Sequence, residues 1–399
     1  MNNTDTTTNL TFKYSALQAL YWISICALSG FMSLILISKN FTAGQIGLVV
    51  TTANVFVLLI QPRLANFADS TTKYTLKHFA LCIAVFPIIA NIFLLFPTSF
   101  GVTAISATIS LMAATLLNSL LNSICIYYIN HGKSINYGLA RGLGSISFAI
   151  ISVILGLTGE RFGEKSYTII GLIFFTIFFF VILSLKMENM NTPMKSATSS
   201  EVVKKNVLYF FKTYPRFSIM LLGIMLIHIF QSFYGTYLPQ ILENVGGSSK
   251  NVGICLALAA AAELPTLLLF SFMIRKISSG VLMKVAAVAF SVRVIFILLA
   301  TSTNMLYFAQ LFQMFSVGIY LPASVFYTNQ IMQKEDMVKG QSFIITAQVC
   351  GSIVGTLIGG NLIDHIGVTP VLFVGTIISV IGTITMIGSI QKVKTFIYK

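Results

Sequence analysis

The stretch SYTIIGLIFFTIFFFVILSLK, residues 166–186, decides the fold class of this chain. It carries no charged residue before Lys186, and it is long enough to cross a bilayer, which takes about 20 predominantly apolar residues as a helix. The rest of the 399-residue chain has the same character, with 56% hydrophobic and 9% charged residues. Soluble domains carry about 25% charged residues. The composition therefore excludes a soluble enzyme and a nucleic-acid-binding protein, and it predicts a polytopic membrane protein.

Hydropathy and turn residues predict twelve spans, arranged as six, a polar linker and six. The predicted fold is an all-α polytopic membrane protein with twelve transmembrane helices in two pseudo-symmetric six-helix bundles. The predicted domains are a tail at 1–13, a bundle at 14–186, a linker at 187–215, a bundle at 216–390 and a tail at 391–399. The predicted spans are 14–37, 44–65, 75–96, 101–129, 136–158, 166–186, 216–240, 249–273, 280–300, 303–330, 338–362 and 368–390.

The distribution of Lys and Arg predicts the orientation of these spans. If the N-terminus is cytoplasmic, the cytoplasmic loops and tails hold nineteen of these residues, whereas the outer loops hold only Lys39, Arg161, Lys165 and Lys250. Cytoplasmic loops of membrane proteins carry an excess of Lys and Arg. We therefore expect both termini and the linker on the cytoplasmic side. The short loops and the Ile-, Asn- and Lys-rich composition favour a bacterial inner membrane, and the formal charge of +14 needs no anionic partner.

The two halves of the chain repeat each other. Span 2 opens with QIGL at 45–48 and span 8 with NVGI at 251–254. Span 11 contains Gly351, Gly355 and Gly359, a spacing that lets helix backbones approach closely. Six spans, a linker and six more with an internal repeat are typical of transporters that alternate access to a site near the membrane midplane.

Apart from charges near span ends, three charged residues lie inside spans, where a charge costs roughly 2.5–3.5 kcal/mol on insertion scales. Glu263 in span 8 and Arg293 in span 9 lie at similar depth on adjacent antiparallel helices, so we expect them to meet near mid-membrane. They form either a packing salt bridge or a protonatable site. Arg141 in span 5 either snorkels to the headgroups or binds substrate, with Phe148 two turns along the same face.

Other polar or aromatic side chains within the spans are weaker candidates for lining a cavity. His228 on an apolar helix is more typical of packing than of a proton relay. The five cysteines lie in apolar runs without metal-binding spacing, so no metal site is predicted. The further candidates are Tyr21, Asn122, His228, Tyr234, Gln310 and Gln313.

Several stretches resemble the major facilitator superfamily, and in particular its lactose permease-like oligosaccharide:proton and nucleoside:proton symporters. The stretch YGLARGLGSISF at 137–148 is similar to the helix 5 signature of that branch. There the arginine binds substrate and the aromatic residue stacks on it, which implies these roles for Arg141 and Phe148. Glu263 followed by a proline two residues on, and Arg293 in the next helix, resemble the branch's proton-coupling pair.

Loop motifs of the superfamily are partly present. Pro62 and Asp69, with Lys73 beyond them, resemble the stretch from helix 2 into loop 2–3, and Asp364 lies in a stretch similar to the end of helix 11. The resemblance implies conformational roles for these residues.

The chain departs from the branch at two positions. Asn122 stands where helix 4 of the branch commonly has an acid, and Gln313 stands where helix 10 commonly has a histidine. These replacements remove a substrate-site carboxylate and a proton-relay imidazole.

The sequence therefore predicts a secondary active transporter for a small polar organic solute, sugar- or nucleoside-like, working by alternating access with proton symport. A proton-coupled exporter of drugs or sugars is the alternative. An enzyme would need paired acids, a His cluster or a nucleophile–base pair within the spans, whereas this chain offers one buried Glu and one lone His. A receptor would normally keep a substantial soluble domain, and the linker is too short and polar to be one. We expect a monomer in the lipid bilayer with no cofactor other than the coupling proton and no nucleic-acid partner.

Overall fold

The structure is a computed structural model, and it describes residues 3–70, 74–131, 133, 135–185, 187 and 207–393. Most of these residues are helical, with no β-strand among them. The α-helices are α1 (Asn3–Ile25), α2 (Met32–Ile37), α3 (Ala43–Ser70), α4 (Leu76–Leu95), α5 (Phe100–Asn130), α6 (Tyr137–Phe162), α7 (Lys165–Leu183), α8 (Val207–Thr213), α9 (Pro215–Glu243), α10 (Ser249–Lys276), α11 (Ser279–Leu298), α12 (Thr303–Leu311), α13 (Val317–Ile331), α14 (Met337–Ile366) and α15 (Val368–Ser389).

Eleven helical stretches among the described residues are long and apolar enough to cross a membrane. The remaining predicted span, the first one at 14–37, is helical but interrupted: α1 passes into a π-helical segment, Cys26–Gly30, and continues as α2. A Ser–Gly pair, Ser29 and Gly30, ends that segment. Such pairs and π-bulges are common causes of helix kinks. The protein is thus a multi-pass helical membrane protein, as its composition predicts.

The tenth predicted span is also interrupted. Helix α12 ends at Leu311, a single 3₁₀ turn follows at Phe312–Met314, and α13 resumes the span at Val317. A 3₁₀ helix has three residues per turn, so side chains at i and i+3 lie directly above one another. The interruption therefore stacks two side chains that a regular α-helix would offset.

The described residues divide into two compact units. One comprises those within Met1–Phe41, Val49–Ser196 and Val252–Ala257, and the other those within Thr42–Leu48, Ala197–Asn251 and Leu258–Lys399. The start of α3, up to Leu48, belongs to the second unit, whereas the rest of α3 belongs to the first. Residues Val252–Ala257 of α10 belong to the first unit, whereas the rest of α10 belongs to the second.

In the first unit, α1 packs on α6 and α7, and α4 packs on α5 and α7. The core between them is apolar and aromatic, with Leu17, Tyr21, Leu117 and Phe178 essentially inaccessible to solvent. Close van der Waals packing, and not the hydrophobic effect, stabilises such helix contacts in lipid, because the lipid tails are as apolar as the side chains.

In the second unit, α9 packs along both α14 and α15, and α11 packs on α13 and α15. A Cβ placed on Gly351 or Gly355 of α14 would collide with the backbone carbonyl oxygens of Met225 and Ile229 in α9. The predicted packing role of this glycine row is confirmed, because only glycine permits so close an approach of the two backbones.

The repeat noted between spans 2 and 8 has a structural counterpart. Gly47, in the first turns of α3, lies against the carbonyl oxygen of Thr356, and Gly253, in the first turns of α10, lies against that of Ser152. Each glycine lies in the same compact unit as its partner. The matching QIGL and NVGI sequences therefore serve matching close approaches.

Parts of the sequence prediction fall outside the described residues, namely residues 1–2, most of the linker (188–206), Lys73 and residues 394–399. The end of the predicted linker is helical, because α8 covers Val207–Thr213 and α9 begins at Pro215. Proline suits the first helical position, where its missing N–H is not needed. The domain boundaries themselves stay a prediction.

Candidate functional site

Arg141 lies in the second turn of α6, over an aromatic ring of α1. Its guanidinium carbon is 4.1 Å from the centre of the Trp22 ring, and its Nη1 donates a hydrogen bond to Ser145 Oγ at 2.8 Å. A guanidinium over an indole face is attracted by the ring quadrupole, by about 0.5–2 kcal/mol depending on solvation. The arginine is therefore held within the first unit by the ring of Trp22 in α1 and the hydroxyl of Ser145 in α6.

The position of Trp22 depends on a glycine in α6 and on polar neighbours in α1. A Cβ on Gly144 would lie 2.5 Å from Trp22 Cδ1, so the indole occupies space that any larger residue would fill. The indole Nε1 donates to Gln18 Oε1 at 3.2 Å, and Gln18 Nε2 donates to the Tyr14 hydroxyl at 2.8 Å. A chain of hydrogen bonds thus fixes the ring that the guanidinium covers.

Phe148 completes this group. Its ring centre is 6.1 Å from that of Trp22 with the planes at 73°, an edge-to-face contact. Arg141 and Phe148 therefore flank one indole, and all three side chains are half-buried. We call Arg141, Trp22 and Phe148 the arginine–indole cluster. It offers a planar donor and aromatic surface, which suits a solute with hydroxyl or carbonyl acceptors on a ring.

Two further predicted residues of the first unit, Tyr21 and Asn122, have hydrogen bonds of their own. Tyr21 is 2% exposed, packs in the apolar core, and donates its hydroxyl to the carbonyl oxygen of Ala114 at 2.8 Å. Asn122 accepts a hydrogen bond from the Tyr137 hydroxyl at 3.2 Å. The aromatic ring under the Arg141 guanidinium is that of Trp22, the next residue along α1. Adjacent helix residues differ in direction by about 100°, and nothing in the sequence marked which of the two faces α6.

In the second unit, Arg293 of α11 is the centre of a hydrogen-bonded network. It is 4% exposed, and it donates through Nη2 to Gln310 Oε1 at 2.7 Å and through Nη1 to Gln313 Oε1. Both glutamines flank the break between α12 and the 3₁₀ turn, spaced i and i+3. The change in helical period places both amides on the same guanidinium.

The network reaches Glu263 through Gln313. Gln313 Nε2 donates to Glu263 Oε1 at 2.7 Å, so one amide joins the carboxylate of α10 to the guanidinium of α11. Glu263 is half-buried. The sequence predicts that Glu263 and Arg293 lie close together, and the structure connects them through a residue of a third helix.

Tyr234 of α9 lies at the other end of this hydrogen-bonded network, opposite Glu263. Gln310 Nε2 donates to its hydroxyl, and the guanidinium carbon of Arg293 is 5.3 Å from its ring centre. We call Glu263, Gln313, Arg293, Gln310 and Tyr234 the glutamate–arginine network. An ionised carboxylate only accepts and a guanidinium only donates, so each glutamine amide has one available orientation.

His228 lies apart from these contacts. Its Nδ1 is 2.9 Å from the carbonyl oxygen of Ile224, one turn earlier in the same helix, and its ring packs on those of Tyr320 and Phe290. This surrounding is that of a histidine packed between helices.

Of the predicted conformational residues, Asp69 and Asp364 lie near helix ends and Pro62 lies within a helix. Pro62 is inside α3 and Asp69 lies in its last turn, while the side chain of Asp69 is outside the described part of the chain. Asp364, near the end of α14, accepts from the backbone N–H groups of Ala43 and Gly44 at 2.9 and 2.7 Å. A carboxylate at a helix N-terminus satisfies free N–H groups and complements the helix dipole. In the described residues, no three His, Cys, Asp or Glu side chains are grouped as metal ligands.

Comparisons with known proteins agree with this architecture. The family model "MFS_1 like family" matches residues 11–374. A crystal structure of the nucleoside transporter NupG superposes with a TM-score of 0.81 at 15% identity, covering 96% of this chain and 100% of that one. A peptide transporter POT mutant gives 0.72 at 10% identity, covering 95% and 94%. A bacterial homolog of the human lysosomal transporter Spinster, inward-facing and unoccupied, gives 0.64 at 14% identity, covering 96% and 95%. No curated protein matches the chain in sequence.

Proposed function

The chain belongs to the MFS_1 like family, and from this premise we propose that it moves a small polar organic solute by alternating access, in symport with protons. Secondary transport follows from the family. The substrate class and the proton are our proposal. The observation that carries it is the connection of Glu263 through Gln313 to Arg293.

The arginine–indole cluster supports a solute that carries a ring. A guanidinium donates to hydroxyl or carbonyl oxygens in a fixed planar geometry, and aromatic faces pack on the apolar side of a sugar or on a nucleobase. The likeness to a nucleoside transporter at 15% identity concerns the fold, yet it makes nucleosides the first solutes to test. Arg141 would orient the solute, and Trp22 and Phe148 would pack on it.

The glutamate–arginine network supports a role for a proton. While Glu263 is ionised, it accepts a charge-assisted hydrogen bond from Gln313, and such bonds are about twice as strong as neutral ones. Protonation of Glu263 weakens that bond, so that the bond to Arg293 becomes the stronger constraint on the position of the Gln313 side chain. The protonation state of the carboxyl is thereby transmitted to Arg293, Gln310 and Tyr234, which gives coupling a physical route.

Transport in proteoliposomes tests this proposal. The solute is first chosen by a thermal-shift screen of sugars, nucleosides and aromatic acids at two pH values. With it, Glu263→Gln should lose accumulation driven by an inward proton gradient while keeping solute exchange, because an amide cannot take up the proton. The control is Glu243→Gln at the exposed end of α9, which should accumulate normally.

Two results would contradict the proposal. Undiminished gradient-driven accumulation by Glu263→Gln would remove the proton role from this residue. Extrusion of solute in exchange for incoming protons would replace symport by the export alternative.

A further inference from the structure

A cavity of about 410 Å³ lies in the first unit, where the end of α2, the end of α4 and the start of α7 come together. Its volume is within the range of small-molecule sites, about 300–1,000 Å³. The arginine–indole cluster contributes no residue to it. The predicted topology puts all three of these helix ends on the outer side of the membrane.

The lining carries two of the four basic residues predicted for the outer side, Lys39 and Lys165. Few lysines are expected there under the positive-inside rule. Lys39 is half-buried and donates to the carbonyl oxygen of Phe96 at 2.9 Å, which holds its ammonium group at the lining. Burial and the neighbouring charge of Lys165 both lower the pKa of Lys39. Lys39 and Lys165 thus line the same cavity, and their like charges oppose each other there.

The remaining lining has two characters. Leu95 is half-buried and Phe96 and Pro97 are exposed, and these side chains give an apolar wall, whereas Ile35, Leu94 and Thr168 lie essentially buried behind it. Glu164 is the acid in the lining, and its side chain is exposed. The charged groups at the cavity thus comprise two cations and one anion, against a wall that is partly apolar.

We propose that this cavity binds an anionic oxoacid group, a carboxylate or phosphate, attached to a small apolar moiety. The two ammonium groups donate to the oxygens of the anion, and binding relieves the repulsion between them. The apolar wall takes up the attached hydrocarbon. A free amphiphilic anion and the headgroup of an anionic phospholipid share this chemistry. The proposal is independent of the transport proposal, because it involves neither the arginine–indole cluster nor the glutamate–arginine network.

Lysine protection on the full-length purified protein tests the proposal. An amine-acylating reagent is applied in detergent, and the extent of modification of Lys39, Lys165 and Lys250 is read by peptide mass spectrometry. The first arm adds inorganic phosphate against chloride at equal ionic strength. The second uses nanodiscs of phosphatidylglycerol against phosphatidylcholine. Lys250 is the matched control, as the remaining outer-side lysine and not part of the lining.

We expect Lys39 and Lys165 to be protected at least about threefold more than Lys250 in one or both arms. Protection by phosphate identifies a free anion as sufficient, and protection by phosphatidylglycerol alone identifies the lipid headgroup as the source. Absence of selective protection in both arms, or equal protection of Lys250, would overturn the proposal.

Charge variants give a second measurement with opposite signs. Native mass spectrometry of phosphatidylglycerol adducts and phosphate titrations should show binding weakened about tenfold or more by Lys165→Gln, since one charge-assisted hydrogen bond is lost. Glu164→Gln should strengthen binding, because it removes the negative charge at the lining. Both residues are exposed at the start of α7, so these changes leave the core intact. Equal effects of the two variants would contradict an anion site.

Discussion

Gln313 shows how one neutral side chain can join two charged ones. Its amide oxygen accepts from the Arg293 guanidinium, and its amide nitrogen donates to the Glu263 carboxylate. A neutral imidazole also has one donor and one acceptor. A glutamine at this position therefore offers the donor and the acceptor that a neutral histidine would offer. What it lacks is a pKa in the physiological range.

This reasoning predicts the effects of two substitutions at Gln313. Gln313→Leu removes both hydrogen bonds and should reduce proton-driven accumulation about tenfold or more, because a buried hydrogen bond to a charged group is worth about 1.5–3 kcal/mol. Gln313→His should keep much of the accumulation that Gln313→Leu loses, and it should add a new dependence of accumulation on pH. The measurement is solute uptake in proteoliposomes over a range of external pH.

The matched control is Gln348→Leu. Gln348 is also half-buried within a span and donates one hydrogen bond, to the Tyr320 hydroxyl at 2.9 Å, outside the glutamate–arginine network. Equal loss of accumulation in Gln348→Leu and Gln313→Leu would show that any buried amide matters, and it would remove the specific role of Gln313.

Among the helices, the interruption between α12 and α13 lies at the polar side chains that contact Arg293. The 3₁₀ turn at Phe312–Met314 separates α12 from α13 and brings Gln310 and Gln313 to one guanidinium. An unbroken α-helix would rotate residues at i and i+3 apart by about 60°, whereas three residues per turn superpose them. The change of helical period therefore brings the two amides more closely into line than an unbroken α-helix would.

The close helix approaches predict opposite signs for two Gly→Ala substitutions. A Cβ at Gly253 would collide with the carbonyl oxygen of Ser152, whereas a Cβ at Gly235 in α9 meets nothing within 4 Å. Gly253→Ala should lower the unfolding temperature in detergent, because the two backbones must separate. Gly235→Ala should leave the unfolding temperature unchanged or raise it, since alanine in a helix interior is more stable than glycine by about 1 kcal/mol.

Thermal unfolding of the two variants beside the wild-type protein checks this prediction. Because both substitutions add the same methyl group to a helical glycine, their difference isolates the collision with Ser152. An unfolding temperature of Gly253→Ala at or above that of Gly235→Ala would contradict the close approach of α10 to α6.

For the whole molecule, the asymmetry of Lys and Arg predicts that both termini are cytoplasmic. Green fluorescent protein fused to the C-terminus should fluoresce in a bacterial host, and alkaline phosphatase at the same position should be inactive. Fusions after Lys250, in a predicted outer loop, should give the reverse pattern. Active phosphatase at the C-terminus would overturn the orientation and place the lysine-lined cavity on the cytoplasmic side.

The sequence by itself determined the membrane class, the helical fold and the charged residues worth testing. These are local properties: the length of an apolar run and the scarcity of charge within it can be read without knowing any neighbour. The departures at Asn122 and Gln313 were equally visible in the sequence, but their consequences were not.

Only the tertiary structure decided which residues meet. It placed Trp22 under the guanidinium of Arg141, joined Gln313 to both Glu263 and Arg293, and assembled a cavity from the ends of three helices. Such contacts depend on how each helix is rotated about its axis and where its period changes. One residue of shift turns a side chain by about 100°, and composition and spacing do not fix that rotation.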